Sequence, residues 1–315
     1  MENVYITYQG YECLNSCIVN RMRSMGYELS GSDIFFIGGG SDFKYKLKKN
    51  NKFVVANREF EADFIFCKKV GLDYSVKHID EINCIDILER LVDHLGCVTV
   101  DVSTLYLKYH KIFANVDEYH FINVLKVDRE NDRVYISDGY IPAIKLTVYE
   151  GWMPLAELLR SWKKSKYKVF IIRGLQKKNT LDTELKNSYK YMQKSVENYL
   201  ARKDNKKIIE VYKYILKQIE NSSLFADMVF SYQPQLKVYG FLAYKYYILQ
   251  QIKKGNPIIY EEYKRIVNKW DAWLMDLARS GITCDYKKSI HVYERGNELV
   301  NKEANILMKI VTPTN

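Results

Sequence analysis

At 315 residues and a formal net charge of +10, the chain is long enough for two ordinary domains, each burying a core. Hydrophobic residues make up 47% and charged residues 27%, a globular balance, and no run approaches the roughly 18 uncharged apolar residues that a membrane span needs. The start Met1-Glu2-Asn3-Val4 lacks the basic-then-apolar order of a signal peptide, so the expectation is a cytoplasmic chain whose six cysteines are thiols.

Residues 1–175 read as mixed α and β. Leu14, Cys17, Ile18, Met22 and Met25 recur at helical spacing and predict a helix over 13–25, stopped at Gly26. A short apolar run, Ile34-Phe35-Phe36-Ile37, ends in Gly38-Gly39-Gly40. Strands are predicted at 53–56 and 62–70. A second helix is predicted over 80–95, with Asp80 as N-cap, Ile82, Ile85, Leu88 and Leu91 on one face, and Gly96 past its end. The period then shortens: Val, Ile, Phe and Tyr fill strand-length runs at 97–102, 119–127, 133–138 and 167–173. Asp128-Arg129-Glu130-Asn131-Asp132 is a polar turn closing the second and third of these into a hairpin. Gly151-Trp152-Met153-Pro154 opens a short helix over 155–162.

After Gly174 the pattern is helical almost throughout, with helices expected at 181–202, 206–220, 224–253, 260–280 and 289–310. Breaks fall at Asp204-Asn205, Asn221-Ser222-Ser223, Gly255-Asn256-Pro257 and Gly281, and Pro234 kinks or splits the third helix. The boundary belongs near residues 174–180, giving an α+β domain over 1–175 and a helical, basic one over 176–315. Charge divides unevenly across it. Residues 1–175 carry 24 Lys and Arg against 23 Asp and Glu, whereas residues 176–315 carry 24 against 15, a net +9. That excess suits an acidic partner, and a general lysine richness is its alternative source.

Cys13 stands where the turn Gly10-Tyr11-Glu12 gives way to the first helix. The thiolate is the reactive form of cysteine, and a helix N-terminus favours it through aligned N–H groups and the positive end of the dipole. Cys17 is one turn further in, on the apolar face, and reads as core, as do Cys67, Cys84 and Cys97 in their apolar runs. His120 heads the strand His120-Phe121-Ile122-Asn123-Val124, and Asp138 ends its hairpin partner. If the turn contains an odd number of residues, such as 129–131, then 128 pairs with 132 and 122 with 138. His120 and Asp138 then share a face as diagonal neighbours, whereas a two-residue turn puts them on opposite faces.

In that arrangement His120 removes the Cys13 proton and returns it to the leaving group, and Asp138 fixes the imidazole tautomer. The backbone N–H of Cys13 and the side chain of Gln9 are the candidate oxyanion donors. Gly38 and Gly39 read first as a structural turn and second as a backbone surface for substrate, since neither a GK[ST] nor a GxGxxG pattern is present. The five histidines show no ligand spacing, so no metal is expected. Basic runs such as Lys44-Tyr45-Lys46-Leu47-Lys48-Lys49 and Trp162-Lys163-Lys164 come without any nucleic-acid-binding motif and read as solvated surface.

These residues resemble a family. Glu12-Cys13-Leu14-Asn15-Ser16-Cys17-Ile18-Val19-Asn20, then Gly26-Tyr27-Glu28-Leu29-Ser30 and Phe36-Ile37-Gly38-Gly39-Gly40, are similar to the N-terminal domain of butirosin-type acyltransferases. His120-Phe121-Ile122-Asn123-Val124 and Val134-Tyr135-Ile136-Ser137-Asp138 extend the likeness, which covers roughly residues 5–175. The resemblance implies a papain-like cysteine-peptidase fold followed by an all-helical C-terminal region. It also implies a Cys13/His120/Asp138 triad and transfer of an acyl group from a carrier-protein phosphopantetheine thioester to a small amine, as in the amide-forming type of closthioamide assembly. An acidic acyl or peptidyl carrier protein is the implied partner, no resident cofactor is implied, and neither a nucleic acid nor a membrane is. Departures are Glu12 for a histidine, Leu14-Asn15 for Glu-Ser, and Gln9 four rather than six residues ahead of the cysteine. Two other function classes stand beside this one: a cysteine peptidase or amidase using water as acceptor, and a non-enzymatic basic binding module.

Overall fold

The computed structural model describes residues 5–49, 53–56, 61–110, 117–142, 147–238, 240–253 and 255–312. The chain divides into two compact units. One comprises Met1–Ile34 and Phe66–Glu184, the other Phe35–Ile65 and Leu185–Asn315. A single cut near 174–180 therefore describes the division incompletely, because residues 35–65 belong with the C-terminal helices.

In the first unit, α1 (Cys13–Ser24) starts at the expected residue. It is followed by α2 (Gly31–Ile37) and α3 (Ala62–Lys69), within which the cuts between units fall. The stretch over 62–70, expected as a strand, is thus helical as far as Lys69. Ala62, Phe66 and Val70 are buried and Ile65 exposed, a spacing of four that a short apolar run hides in its composition. Downstream lie α4 (Cys84–Leu95), led by a 3₁₀ turn over Glu81–Asn83 and closed by Gly96, and α5 (Leu155–Lys163).

Six antiparallel strands form the sheet: β3 (Leu72–His78), β4 (Val98–Ser103), β5 (Tyr119–Asp128), β6 (Arg133–Ile141), β7 (Thr147–Pro154) and β8 (Lys168–Leu175). Their order is β3-β8-β4-β5-β6-β7. Strands β3 and β7 went unread in the sequence because they are the sheet's two edges, half or more exposed and lacking an apolar run. Between the sheet and α4 and α5 lies a core of Val98, Val100, Val102, Ile122, Val124, Ile136, Leu88, Leu158 and Trp162.

The β5–β6 hairpin closes differently from the odd-numbered turn. Asp128 pairs with Arg133, so four residues form the turn. By parity alone this puts His120 and Asp138 on opposite faces. A β-bulge between Val124 and Lys126 removes the mismatch: Val124 pairs with Ile136 and Asn123 with Ser137. Beyond the bulge the register is the one the odd turn called for, reached by another route.

In the second unit the hairpin β1 (Lys44–Leu47) and β2 (Phe53–Ala56) joins the helices α6 (Lys178–Ala201), α7 (Asp204–Leu216), α8 (Ser222–Val238), α9 (Phe241–Ile252), α10 (Pro257–Thr283) and α11 (Tyr286–Val311), of which α6 begins in the first unit. Backbone groups of β2 are tied to α8: Phe53 N–H donates to Ser231 Oγ (3.2 Å) and Val55 N–H to Gln235 Oε1 (2.8 Å). Pro234 lies inside α8, and the chain breaks at Gly240, where φ is 111°. Gly281 ends nothing. It lies within α10, where a Cβ would stand 2.8 Å from Val229 Cγ1, so glycine there lets α8 and α10 approach. Among the described residues no helix is long and apolar enough to cross a membrane.

Candidate active site

Docking of α1 fixes where Cys13 stands. The helix is buried along most of its length, including Asn15, Ser16, Asn20 and Arg21, so its polar face is a set of anchors. Arg21 donates to the Ile172 carbonyl of β8 (3.2 Å), and Asn123 of β5 donates to the Cys17 carbonyl (3.1 Å). Thr99 of β4 donates to that same Asn123 (2.6 Å). The lead-in segment is pinned by Gly10 N–H donating to the Gly139 carbonyl (2.8 Å) and Tyr8 N–H to Asn20 Oδ1 (3.0 Å). A Cβ on Gly139 would lie 2.8 Å from the Tyr8 carbonyl and 2.9 Å from Ser16 Cβ, so only glycine admits the helix this close to β6. Cys13 is half-buried at the first residue of α1, whose first turn carries no acidic side chain.

His120, near the start of β5, is buried and meets both other groups. Its Nε2 lies 2.8 Å from Asp138 Oδ2, and the Cys13 thiol is close enough to interact with its ring. With Nε2 held by the carboxylate, Nδ1 is the nitrogen left for the thiol. Burial opposes an imidazolium here, but the Asp138 charge, its hydrogen bond and the Cys13 contact outweigh burial, and the His120 pKa is pushed up to about 10. Burial likewise opposes the Asp138 carboxylate, and His120 and His110 overcome that, holding it well below the usual carboxylate range.

His110 is the residue that sequence reasoning missed. It follows two short turns, with Leu107 N–H donating to the Thr104 carbonyl (3.0 Å) and His110 N–H to the Leu107 carbonyl (2.8 Å). Its Nε2 reaches the same Asp138 Oδ2 at 2.8 Å, its ring is 4.7 Å from that of His120, and the Tyr109 hydroxyl donates to that oxygen as well (3.1 Å). No periodicity marks the segment. The only signal is a Tyr-His pair ten residues ahead of His120. The donor atoms of His110, His120 and Asp138 lie within 4.8 Å of one another, the span a metal ion would bridge. Hydrogen bonds at 2.8 Å already account for that convergence.

Cys13, His120 and Asp138 are thus brought together. Gln9 is exposed on the lead-in segment. Gly38 and Gly39 fall in the other unit, where they end α2, Gly39 N–H donating to the Phe36 carbonyl (3.1 Å). Their local role is a helix stop.

Residues 12–139 match the family described as "Butirosin biosynthesis protein H, N-terminal". The matched stretch is similar to that domain, and it contains every member of the cluster: Cys13, Tyr109, His110, His120 and Asp138. It ends one residue past the carboxylate. None of the curated proteins matches the chain.

Proposed function

We propose that the protein is a cysteine-dependent acyltransferase that forms amide bonds in natural-product biosynthesis. The observation that carries this reading is His120 held between the Cys13 thiol and the Asp138 carboxylate. His120 takes the thiol proton, and the Cys13 sulfur attacks the acyl carbon of a carrier-bound phosphopantetheine thioester. A new C–S bond forms, the pantetheine C–S bond breaks, and His120 protonates the departing thiol. An amine then attacks the acyl-Cys13 carbon and gives its proton to His120. The C–N bond forms as the Cys13 sulfur leaves and recovers the proton. In this reading the Cys13 N–H, at the N-terminus of α1, donates to the oxyanion. Thioester exchange is near thermoneutral and amide formation from a thioester runs downhill, so no nucleotide takes part.

The match to the butirosin-type domain supports antibiotic-pathway acyl transfer as the reaction class. The net +9 of residues 176–315 suits an acidic carrier protein, with association that weakens as salt rises. The amide-forming enzyme of closthioamide assembly is the type we take as the parallel. Incubation with an acyl-carrier thioester and a panel of diamines and amino acids, read by mass spectrometry, tests the proposal. The expected products are an acyl adduct on Cys13 and an amide. Free acid without amide would replace the reading with a peptidase or amidase, and absence of any adduct would overturn it.

A further inference from the structure

We propose that His110 is a positioning residue of the Cys13 site: together with Tyr109 it fixes the Asp138 carboxylate for His120 and confines the positive charge of the cluster to His120. The inference rests on the reading of Cys13 and His120 as the reacting pair.

A carboxylate held by one partner turns easily, because its terminal torsion is broad and nearly two-fold. Asp138 has no such freedom. Its Oδ2 takes His120 Nε2 (2.8 Å), His110 Nε2 (2.8 Å) and the Tyr109 hydroxyl (3.1 Å), and its Oδ1 takes the Tyr140 N–H (3.0 Å). Tyr109 is itself held, stacked on Tyr149 with ring centres 4.2 Å apart and planes 8° from parallel, and the Tyr149 hydroxyl donates to the Trp152 carbonyl (2.9 Å). Four donors from three directions fix both oxygens. For two rings to donate to one oxygen, each carries a proton on Nε2, so a neutral His110 holds its hydrogen there and its Nδ1 is bare.

Electrostatics separate the two histidines in the same sense. Burial keeps His110 below the ordinary histidine range; the hydrogen bond to Asp138 works against this, and His120 adds to it. His120 moves the other way, toward about 10. Among the described residues, the other titratable groups facing the cluster are Cys13 from α1, which acts on His120, Tyr109, on which Asp138, Tyr149 and Cys17 act, and Asp101 of β4, which senses His120. Among the described residues, His120 alone interacts with both the thiol and the carboxylate. A second charged histidine would compete for Asp138 and weaken the thiolate–imidazolium pair. A neutral one supplies a donor without that competition.

Two readouts test this without an acyl donor: the rate of Cys13 alkylation by iodoacetamide, and the His120 titration midpoint followed by imidazole NMR. Both use the full chain carrying Cys284→Ser, since Cys13 and Cys284 are the half-exposed cysteines. His110→Gln keeps a donor near Asp138 and is expected to stay within about twofold of the parent rate. His110→Phe removes the donor and is expected to slow alkylation by roughly tenfold or more, the size typical of lost outer-shell partners, and to lower the His120 midpoint by about one pH unit or more. A midpoint unchanged in His110→Phe, or equal losses in the Gln and Phe variants, would overturn the proposal. A raised midpoint would overturn it too, by making His110 a competitor for the carboxylate. If His110→Phe does not fold, Tyr109→Phe decides: a smaller fall in the same direction supports the clamp and no movement removes it. Acyl transfer failing while alkylation and titration behave as expected would count against the proposed activity and leave the positioning role standing.

Discussion

Two buried clusters of charged groups, one in each unit, differ in what they can do. Asp138 of the first unit sits among His120, His110 and Tyr109, and its chain of contacts ends at a half-buried thiol. In the second unit Lys245 of α9 contacts Glu303 of α11, whose carboxylate also takes the hydroxyls of Tyr263 from α10 (3.2 Å) and Tyr199 from α6 (3.5 Å). The ammonium lies 4.1 Å from the Phe241 ring and 4.9 Å from the Trp270 ring, and Lys245 and Glu303 are fully buried. Both clusters are hydrogen-bonded, and each shifts a buried basic group, His120 in the first and Lys245 in the second. Only the first contains a nucleophile with partial exposure. Buried charge alone therefore does not mark a reactive site; access of a nucleophile to the charged chain does. The second cluster joins side chains of four helices, α6, α9, α10 and α11.

Variants that separate these roles sharpen the contrast. Cys13→Ala or Cys13→Ser should abolish acyl loading outright, read by intact mass. His120→Ala should do nearly as much. Asp138→Ala should be milder, a loss on the order of 10⁴-fold, because part of the orientation survives in the packing. Equal activity in all three would dissolve the distinction. In the second unit, Lys245→Met or Glu303→Gln leaves a buried partner uncompensated and should cost about 3–5 kcal/mol of stability in denaturant titration. Cys13 alkylation at low temperature should be unchanged, and a parallel fall in that rate would show the clusters to be coupled.

The smallest effect is a difference in pH slope. The folded pKa of His120, near 10, is above its unfolded value, so its contribution is complete below about 6.5 and fades as pH rises toward 10. Burial lowers Lys245 to about 8, below the roughly 10.4 of an unfolded lysine. Charging it therefore costs stability at low pH, and the cost disappears as pH rises from about 8. Urea midpoints from pH 6.5 to 9.5 should lose their falling component in His120→Gln and their rising component in Lys245→Met. Slopes identical to the parent in both variants would contradict the assignment.

Much of this was legible in the sequence, and the gaps have physical causes. Cys13 and His120 sit at or beside element starts, and Asp138, expected at a strand end, lies three residues inside β6, yet all three fall in segments whose helix or strand periodicity is plain. His110 sits in successive turns with no period to read, and its partner is 28 residues away. The edge strands β3 and β7 carry polar residues because solvent covers them. The segment over residues 35–65 joins the helical unit through side chains such as Ser231 and Gln235, nearly 180 residues downstream, which no local pattern can reveal. Helix limits were read within a few residues wherever a cap was present, as at Asn256-Pro257.

The bulge at Leu125 has an evolutionary consequence. Alternation along a strand makes each hairpin a two-valued counter, and the four-residue turn and the extra residue at Leu125 each flip it once, so together they cancel. A lineage that lost one residue from either place alone would deliver a carboxylate to the wrong side of the sheet, with every side chain of the cluster still encoded. Length changes in this hairpin are therefore tolerable only in compensating pairs, which makes its indel history a more sensitive record of retained chemistry than the identities of the reacting residues.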